Sequence, residues 1–156
     1  MTPLEFAVRV FAALALGTLV GFERQYRQRT AGLRTNALVA TGSALFVMSA
    51  PLVGVASGQL QIAAYVVSGV GFLAGGVIFR EGLSVSGLNT AATMWCTAAI
   101  GVLAGFGEFA YAAIGALAVL TANVVLRPIA QRINRQPIGP AELESTPLER
   151  TSDHAE

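Results

Sequence analysis

The chain has 156 residues, of which 54% are hydrophobic and only 12% are charged, and its mean hydropathy is +0.62. This composition is too apolar for a water-soluble domain of that size, and a net charge of +1 argues against a nucleic-acid-binding protein. The single cysteine, Cys96, excludes an intrachain disulfide, and the single histidine, His154, adds too little to form a zinc or haem site. We therefore expect a protein that lies in the lipid bilayer and carries no cofactor.

Polar residues divide the apolar sequence into five runs, each close to the roughly 20 residues that a membrane-spanning helix needs. The runs cover residues 4–22, 37–56, 62–79, 90–106 and 109–126. They predict an all-α fold, a polytopic membrane helix bundle with about five transmembrane helices. We expect this transmembrane domain to cover residues 1–135. Residues 136–156, rich in proline and acidic side chains, are expected to form a disordered cytoplasmic tail.

The connections between the runs alternate in charge. Those after the second and fourth runs contain no lysine or arginine. Arginines instead follow the first, third and fifth runs, at Arg24, Arg27, Arg29 and Arg34, at Arg80, and at Arg127, Arg132 and Arg135. Because positively charged loops are retained in the cytoplasm, this pattern places the N-terminus outside and the C-terminus in the cytoplasm. On the first helix, Arg9 follows Glu5 by four residues, a spacing at which the two can pair near the outer interface.

Glycines four residues apart recur along the apolar runs. Such pairs let the backbones of two helices approach closely in lipid, so they predict helix-packing seams. The predicted seams are Gly17 with Gly21, Gly71 with Gly75, and Gly101 with Gly105. The spacing alone leaves open whether each seam joins helices of one chain or of neighbouring copies.

The loop after the first run, residues 21–36, carries Glu23, Arg24 and Arg34 among its charged residues and ends in Thr35 and Asn36, candidate N-caps for the second helix. Two interpretations of its arginines remain open. They can fix the topology and bind anionic headgroups at about 1 kcal/mol each. They can also form a specific site for a partner or an anion.

A polar stripe lies on the fourth predicted helix. At 100° per residue, Asn89, Thr93, Cys96 and Thr97 fall within an arc of about 100°, and Glu81 precedes them nearby. Polar residues in membrane helices tend to face the bundle interior and to mark pathways or contacts, so these five are the candidate functional residues. The alternative is ordinary hydrogen bonding between helices, worth about 0.6 kcal/mol for each bond.

The chain resembles the MgtC/SapB family of bacterial inner-membrane proteins in its opening run and in two further stretches, GFERQYRQRTAGLRTNALVATGSALF and VVSGVGFLAGGVIFREGLSVSGLNTAATMWCTAAIGVLAGFG. The resemblance covers roughly residues 5–127, with the ER, AGLRT, GFL, GVI and TAAT elements in the family's order and spacing. It implies a multi-pass protein of the bacterial inner (plasma) membrane, tied to magnesium limitation and, in intracellular pathogens, to survival inside macrophages.

The resemblance also implies a function and site residues. The implied function is non-enzymatic regulation of a membrane ATPase, such as the F-type ATP synthase, or of the membrane potential in low magnesium or acid. In the family motif, Glu81, Asn89 and Cys96 occupy polar positions, whereas Glu23, Arg24 and Arg34 form the charged loop.

The alternative function is a channel or transporter for Mg²⁺ or another cation, acting as a homo-oligomer. Its chemistry is weaker, because Mg²⁺ prefers carboxylate and water oxygens whereas the acidic residues of the apolar region all lie at run ends. An enzyme is not expected, since the sequence contains no pair of nucleophile and base.

The chain also departs from the family pattern. The family commonly has histidine at Asn36, GAG at residues 74–76, and charged residues where this chain has Gln59 and Gln61. Many members carry a folded cytoplasmic C-terminal domain, and we expect this chain to be a short form without it. These departures suggest a subfamily.

Overall fold

The computed structural model describes residues 1–81 and 84–133, apart from the side chains of Ala56 and Glu81. The predicted tail lies outside the described residues. The structure is mostly helical, as predicted, and 83% of it is helix. The helices are α1 (Pro3–Tyr26), α2 (Leu33–Leu52), α3 (Gln59–Gly75), α4 (Leu88–Phe106), α5 (Phe109–Thr121) and α6 (Arg127–Ile133). A 3₁₀ turn, Ala56–Gly58, precedes α3, and a π-helical turn, Ala122–Leu126, joins α5 to α6.

Within the described part of the chain, four helical segments are long and apolar enough to cross a membrane: α1, α2, α4 and the continuous segment Phe109–Ile133. This confirms four of the five predicted spans by length and composition. The remaining helix, α3, has 17 residues and is therefore about 25 Å long, shorter than the roughly 30 Å hydrocarbon core. The third predicted run is apolar as far as residue 79, but its helix ends at Gly75.

A short antiparallel hairpin follows α3 and was not predicted. Strand β1 (Phe79–Glu81) pairs with β2 (Ser84–Ser86), with Phe79 opposite Ser86. Two consecutive glycines, Gly75 and Gly76, have low helix propensity, and the β-branched and aromatic residues after them favour a strand. The fold is therefore a helix bundle with one small hairpin, rather than purely all-α.

The core lies where α1, α2 and α4 pack against one another. Ala40 of α2 sits between glycines of both neighbours: a Cβ atom built on Gly17 would lie 2.7 Å from Ala40 Cβ, and one built on Gly101 would lie 2.7 Å from Ala40 Cα. Gly105 meets Ala44 in the same way, at 2.9 Å from its Cα. These distances are too short for any side chain, so the glycines allow the helices to approach at backbone distance.

The three glycine pairs differ in their surroundings. Gly21 packs against the backbone of Leu33 at the start of α2, which extends the contact made by Gly17. Gly71 and Gly75 of α3 have no atom of the described chain within 4 Å of a built Cβ. The first and last pairs thus contact α2, whereas the pair on α3 faces away from the bundle.

Arg9 connects α1 to the far end of α4. Its Nη1 donates a hydrogen bond of 2.9 Å to the carbonyl oxygen of Gly105. Glu5 instead closes a capping box with Thr2, in which Thr2 N donates to Glu5 Oε2 at 2.7 Å. The spacing of Glu5 and Arg9 allowed an ion pair, but each side chain caps a helix end instead.

Candidate functional site

Three threonines of α4, Thr90, Thr93 and Thr97, are buried along one side of the helix. Thr97 Oγ1 donates to Asn36 Oδ1 of α2 at 3.0 Å and also lies 2.9 Å from the carbonyl oxygen of Thr93. Thr93 Oγ1 donates to the carbonyl oxygen of Asn89 at 2.8 Å. The polar stripe therefore points partly into the bundle, where its hydroxyl groups bond to the helix's own backbone and to α2.

Asn36 ties this stripe to the loop that follows α1. Its Nδ2 donates to the carbonyl oxygens of Ala31 at 2.5 Å and Gly32 at 3.0 Å. Ala31 has a left-handed backbone with φ +54°, unusual for a residue with a Cβ, and the Asn36 amide holds its carbonyl. Asn36 is not the N-cap that the sequence suggested, because Gly32 occupies that position. It instead lies one turn inside α2 and fixes the loop from within.

Arg24, at the last turn of α1, is almost fully buried, with 3% of its surface exposed. Its Nη2 donates to Thr90 Oγ1 at 2.5 Å and lies 3.5 Å from the Thr30 carbonyl. The hydroxyl groups of Thr30 and Thr90 are 3.2 Å apart. Within the described residues, Arg24 Nε has no hydrogen-bond partner. A buried guanidinium group thus joins α1, its loop and the start of α4.

The π-helical turn brings a further polar residue to α4. Asn123 lies on this turn, and its side chain is 3.4 to 3.5 Å from Thr93 Oγ1. These distances are long for hydrogen bonds, so the contact is weak. Short π-helical turns are frequent at functional sites. Here the turn carries Asn123 and the following Arg127 towards the start of α4.

These groups line a partly open cavity of about 170 Å³, which we name the arginine pocket. Its lining comprises Glu23, Arg24, Arg27, Arg29, Gly87, Asn89, Thr90, Asn123 and Arg127. Arg27 Nε pairs with Glu23 Oε1 at 2.7 Å, whereas Glu23 Oε2 is buried without a partner in the described structure. Four arginines and one glutamate give the pocket a formal charge of +3.

Comparison with known proteins identifies the family. The model of the MgtC family matches residues 10–132. The chain belongs to the MgtC family. Protein MgtC of Salmonella typhimurium is 54% identical over 138 residues, which cover 88% of this chain and 59% of the relative. An uncharacterized protein of Synechocystis sp. is 55% identical over 140 residues, 90% of this chain and 60% of the relative.

Protein MgtC of Brucella abortus is 52% identical over 124 residues, covering 80% of this chain and 52% of the relative. This MgtC-family chain therefore spans roughly three fifths or less of the length of these relatives. No solved structure matches it. Family membership and the apolar helices together make it a membrane protein.

The structure separates the candidate residues that the sequence placed together. Thr93 and Thr97 lie in the bundle interior, whereas Asn89 is exposed and lines the arginine pocket. Cys96 is half-buried, with a free thiol. The backbone of Glu81 lies in β1, and its side chain is outside the described residues.

The charged loop residues also separate. Glu23 and Arg24 line the arginine pocket, whereas Arg34 is exposed and is not among the pocket residues. Sequence reasoning missed Thr90 and Asn123, although an amide inside the apolar run 109–126 was a detectable signal for Asn123. Across residues 1–81 and 84–133, no cluster of three or more His, Cys, Asp or Glu residues could hold a metal ion.

Proposed function

We propose that this MgtC-family protein is a non-enzymatic regulator in the bacterial inner membrane, with its N-terminus outside. It acts by helix-to-helix contact on another membrane protein, such as the F-type ATP synthase, and so serves adaptation to low magnesium or acid. The observation that carries this proposal is the uncovered glycine pair on α3. A regulator of this kind needs a contact surface within the membrane, and it needs neither a pore nor a reaction centre.

The outward side of α3 carries a strip of small residues in a regular pattern, beside large exposed side chains such as Phe72. Ala64, Ser68, Gly71 and Gly75 are all exposed, and their 4-3-4 spacing places them along one side of the helix. Small residues at such spacing allow a second helix to approach closely, which favours association in lipid through van der Waals contact. We name this surface the α3 seam.

Use of the same spacing elsewhere in the chain supports a helical partner. The glycine pairs of α1 and α4 each contact α2, so both are filled by a helix of the same protein. The α3 seam contains the third such pair, Gly71 and Gly75, which has no neighbour within the described residues. A transmembrane helix of another protein would complete it. If the helix that covers the seam comes from a second copy of this chain, the protein is a homo-oligomer. The copurification experiment below distinguishes this case from a different partner.

The buried threonines are not available to a partner, although they are among the candidate functional residues. Thr97 already donates within the bundle, to Asn36, so a partner could use it only by breaking that bond. Asn89 remains exposed at the start of α4 and is available to a partner. We therefore place the interface on the α3 seam, with Asn89 as a separate polar contact.

Copurification tests this proposal. Gly71→Leu and Gly75→Leu should each abolish recovery of the ATP synthase or another specific membrane protein from detergent-solubilised membranes, and should remove the protein's effect on cellular ATP at low magnesium and acidic pH. Gly42→Leu is the matched control, because Gly42 is also open but lies on α2, beside an apolar cleft of about 650 Å³. Unchanged recovery of the same partner by both seam variants would contradict the proposal. Seam-dependent recovery of a second, differently tagged copy of this chain, with no other protein, would indicate a homo-oligomer instead.

The charge of the arginine pocket argues against magnesium transport. Four arginines surround its single carboxylate, Glu23, and a net positive site repels Mg²⁺. Reconstituted liposomes provide the test. Mg²⁺ flux that depends on this protein and is lost in Glu81→Ala would establish the channel or transporter instead.

A further inference from the structure

We propose that the arginine pocket binds a phosphate group, supplied either by the headgroup of an anionic lipid or by free inorganic phosphate. This site does not depend on the α3 seam, and it shares only Asn89 with the partner contacts proposed above. Three features of the pocket favour a bound phosphate. They are its positive charge, the N-terminus of α4 in its lining, and two buried groups on adjacent residues of α1 that lack hydrogen-bond partners.

The charge of the pocket favours an anion. Arg24, Arg27, Arg29 and Arg127 line it, and its one carboxylate, Glu23, is already paired with Arg27. Like charges repel at short range, most strongly where protein and lipid lower the local dielectric constant. A bound anion would offset the mutual repulsion of these arginines. Arginine also suits phosphate in particular, because its planar group forms two parallel hydrogen bonds to phosphate oxygens.

The N-terminus of α4 opens into the same pocket. This helix has 19 residues, its N-cap is Gly87, no side chain caps it, and its first turn contains no acidic residue. The first backbone N–H groups of a helix have no partner within the helix, and they carry the positive end of its dipole. Gly87, Asn89 and Thr90 all line the pocket. Such helix ends bind phosphate readily.

Buried groups on Glu23 and Arg24 independently indicate that a ligand binds here. Arg24 is 3% exposed, lines the pocket and has no partner for Nε in the described structure. The neighbouring Glu23 Oε2 is buried and also lacks a hydrogen-bond partner in the described structure. A buried charged group without its full set of hydrogen bonds is costly. A hydrogen phosphate ion, or a headgroup that carries both phosphate and hydroxyl groups, supplies acceptors for Arg24 and a donor for Glu23.

The volume of the pocket limits the ligand. At about 170 Å³ it is smaller than the 300 to 1,000 Å³ typical of sites for drug-sized molecules. It therefore suits one phosphate group with a few waters, rather than a nucleotide. A carboxylate offers only two oxygens, whereas free phosphate offers four, and a lipid headgroup offers the two free oxygens of its phosphodiester together with hydroxyl groups.

The experiment uses the full chain purified in a phosphate-free, lipid-free detergent and has two arms. In the first, inorganic phosphate is titrated at constant ionic strength, with binding followed by calorimetry. In the second, the protein is taken from vesicles of phosphatidylcholine with or without phosphatidylglycerol, and retained lipid is counted by native mass spectrometry. Saturable phosphate binding identifies the free ion, and selective retention of phosphatidylglycerol identifies the lipid headgroup.

Charge-neutralising variants locate the site. Arg29→Gln and Arg127→Gln should each weaken binding about tenfold, because each removes a charge-assisted hydrogen bond. Arg34→Gln is the matched control, since Arg34 is exposed and outside the pocket, and it should change binding less than twofold. Arg24→Gln risks misfolding because Arg24 is buried, so the test does not require it. Binding in neither arm, or equal loss in Arg34→Gln, overturns the proposal.

Discussion

Asn36 and Thr97 form a hydrogen bond of 3.0 Å between α2 and α4, at a point where neither side chain is exposed. The amide nitrogen of Asn36 holds two carbonyl groups of the loop after α1. The bond therefore connects the arginine-bearing loop to the interior of α4. It also explains why a threonine stripe on a membrane helix need not mark a pathway.

Replacing Thr97 tests the energy of this connection. Thr97→Val keeps the shape but removes the hydroxyl group, which leaves Asn36 Oδ1 buried without its donor. We expect a loss of about 1 kcal/mol in the free energy of unfolding, at the upper end for hydrogen bonds between membrane helices, because the acceptor is inaccessible to water. Unfolding in detergent measures it. Thr97→Ser should stay within about 0.5 kcal/mol, and equal stability of Thr97→Val would show that the bond contributes nothing.

The glycine of the α2–α4 contact provides a sharper test of packing. In Gly101→Ala, the new methyl group would meet the backbone of Ala40, so the helices must separate. We expect a loss of about 1 to 3 kcal/mol, typical of overpacking. The control is Gly115→Ala, whose methyl group would lie 3.5 Å from Ile100 Cγ1, an ordinary contact. It should be neutral or stabilising, because alanine is the better helix former. Similar behaviour of the two variants would refute this account.

Much of the architecture follows from patterns that one sequence contains. Apolar runs near the spanning length gave the helices, because lipid requires every backbone group to bond within its own segment. The charge pattern predicted that the arginines after the first and fifth runs share one side. The structure brings Arg24, Arg27 and Arg29 together with Arg127 in one pocket. Which side of the membrane they occupy stays a prediction.

The site was harder to predict, because its members come from four separate segments. The helical period placed Thr93 and Thr97 on one arc, but it does not state which residue lies opposite them. That residue, Asn36, is 61 positions from Thr97 in the sequence. The π-helical turn changes the register after residue 121, so a regular period of 3.6 misplaces Asn123. The hairpin after α3 was missed because each of its strands has only three residues, too few to show the alternating pattern of a strand.

Arg9 should stabilise the end of α4 away from the arginine pocket. Its hydrogen bond to the Gly105 carbonyl satisfies one of the last carbonyl groups of that helix, which lack partners within it. Arg9→Met keeps an apolar stem but removes the charge, and we expect it to lower the free energy of unfolding by about 1 kcal/mol. Arg9→Lys should retain part of this stability, whereas Arg34→Met on the surface should cost less than about 0.5 kcal/mol. Equal losses in the two methionine variants would show that the contact with α4 is not responsible.

The orientation of the bundle can be measured with single cysteines, since Cys96 is the only native one. In a Cys96→Ala background, Gln28→Cys places a thiol on the exposed loop after α1, and Glu108→Cys places one on the exposed turn between α4 and α5. Arginine retention predicts that the Arg27 loop is cytoplasmic. A membrane-impermeant maleimide should therefore label Glu108→Cys in intact cells and Gln28→Cys only after the membrane is opened. Both should react equally in detergent, which controls for thiol reactivity. Labelling of Gln28→Cys in intact cells would reverse the orientation and place the arginine pocket on the external side, where cytoplasmic phosphate and inner-leaflet headgroups cannot reach it.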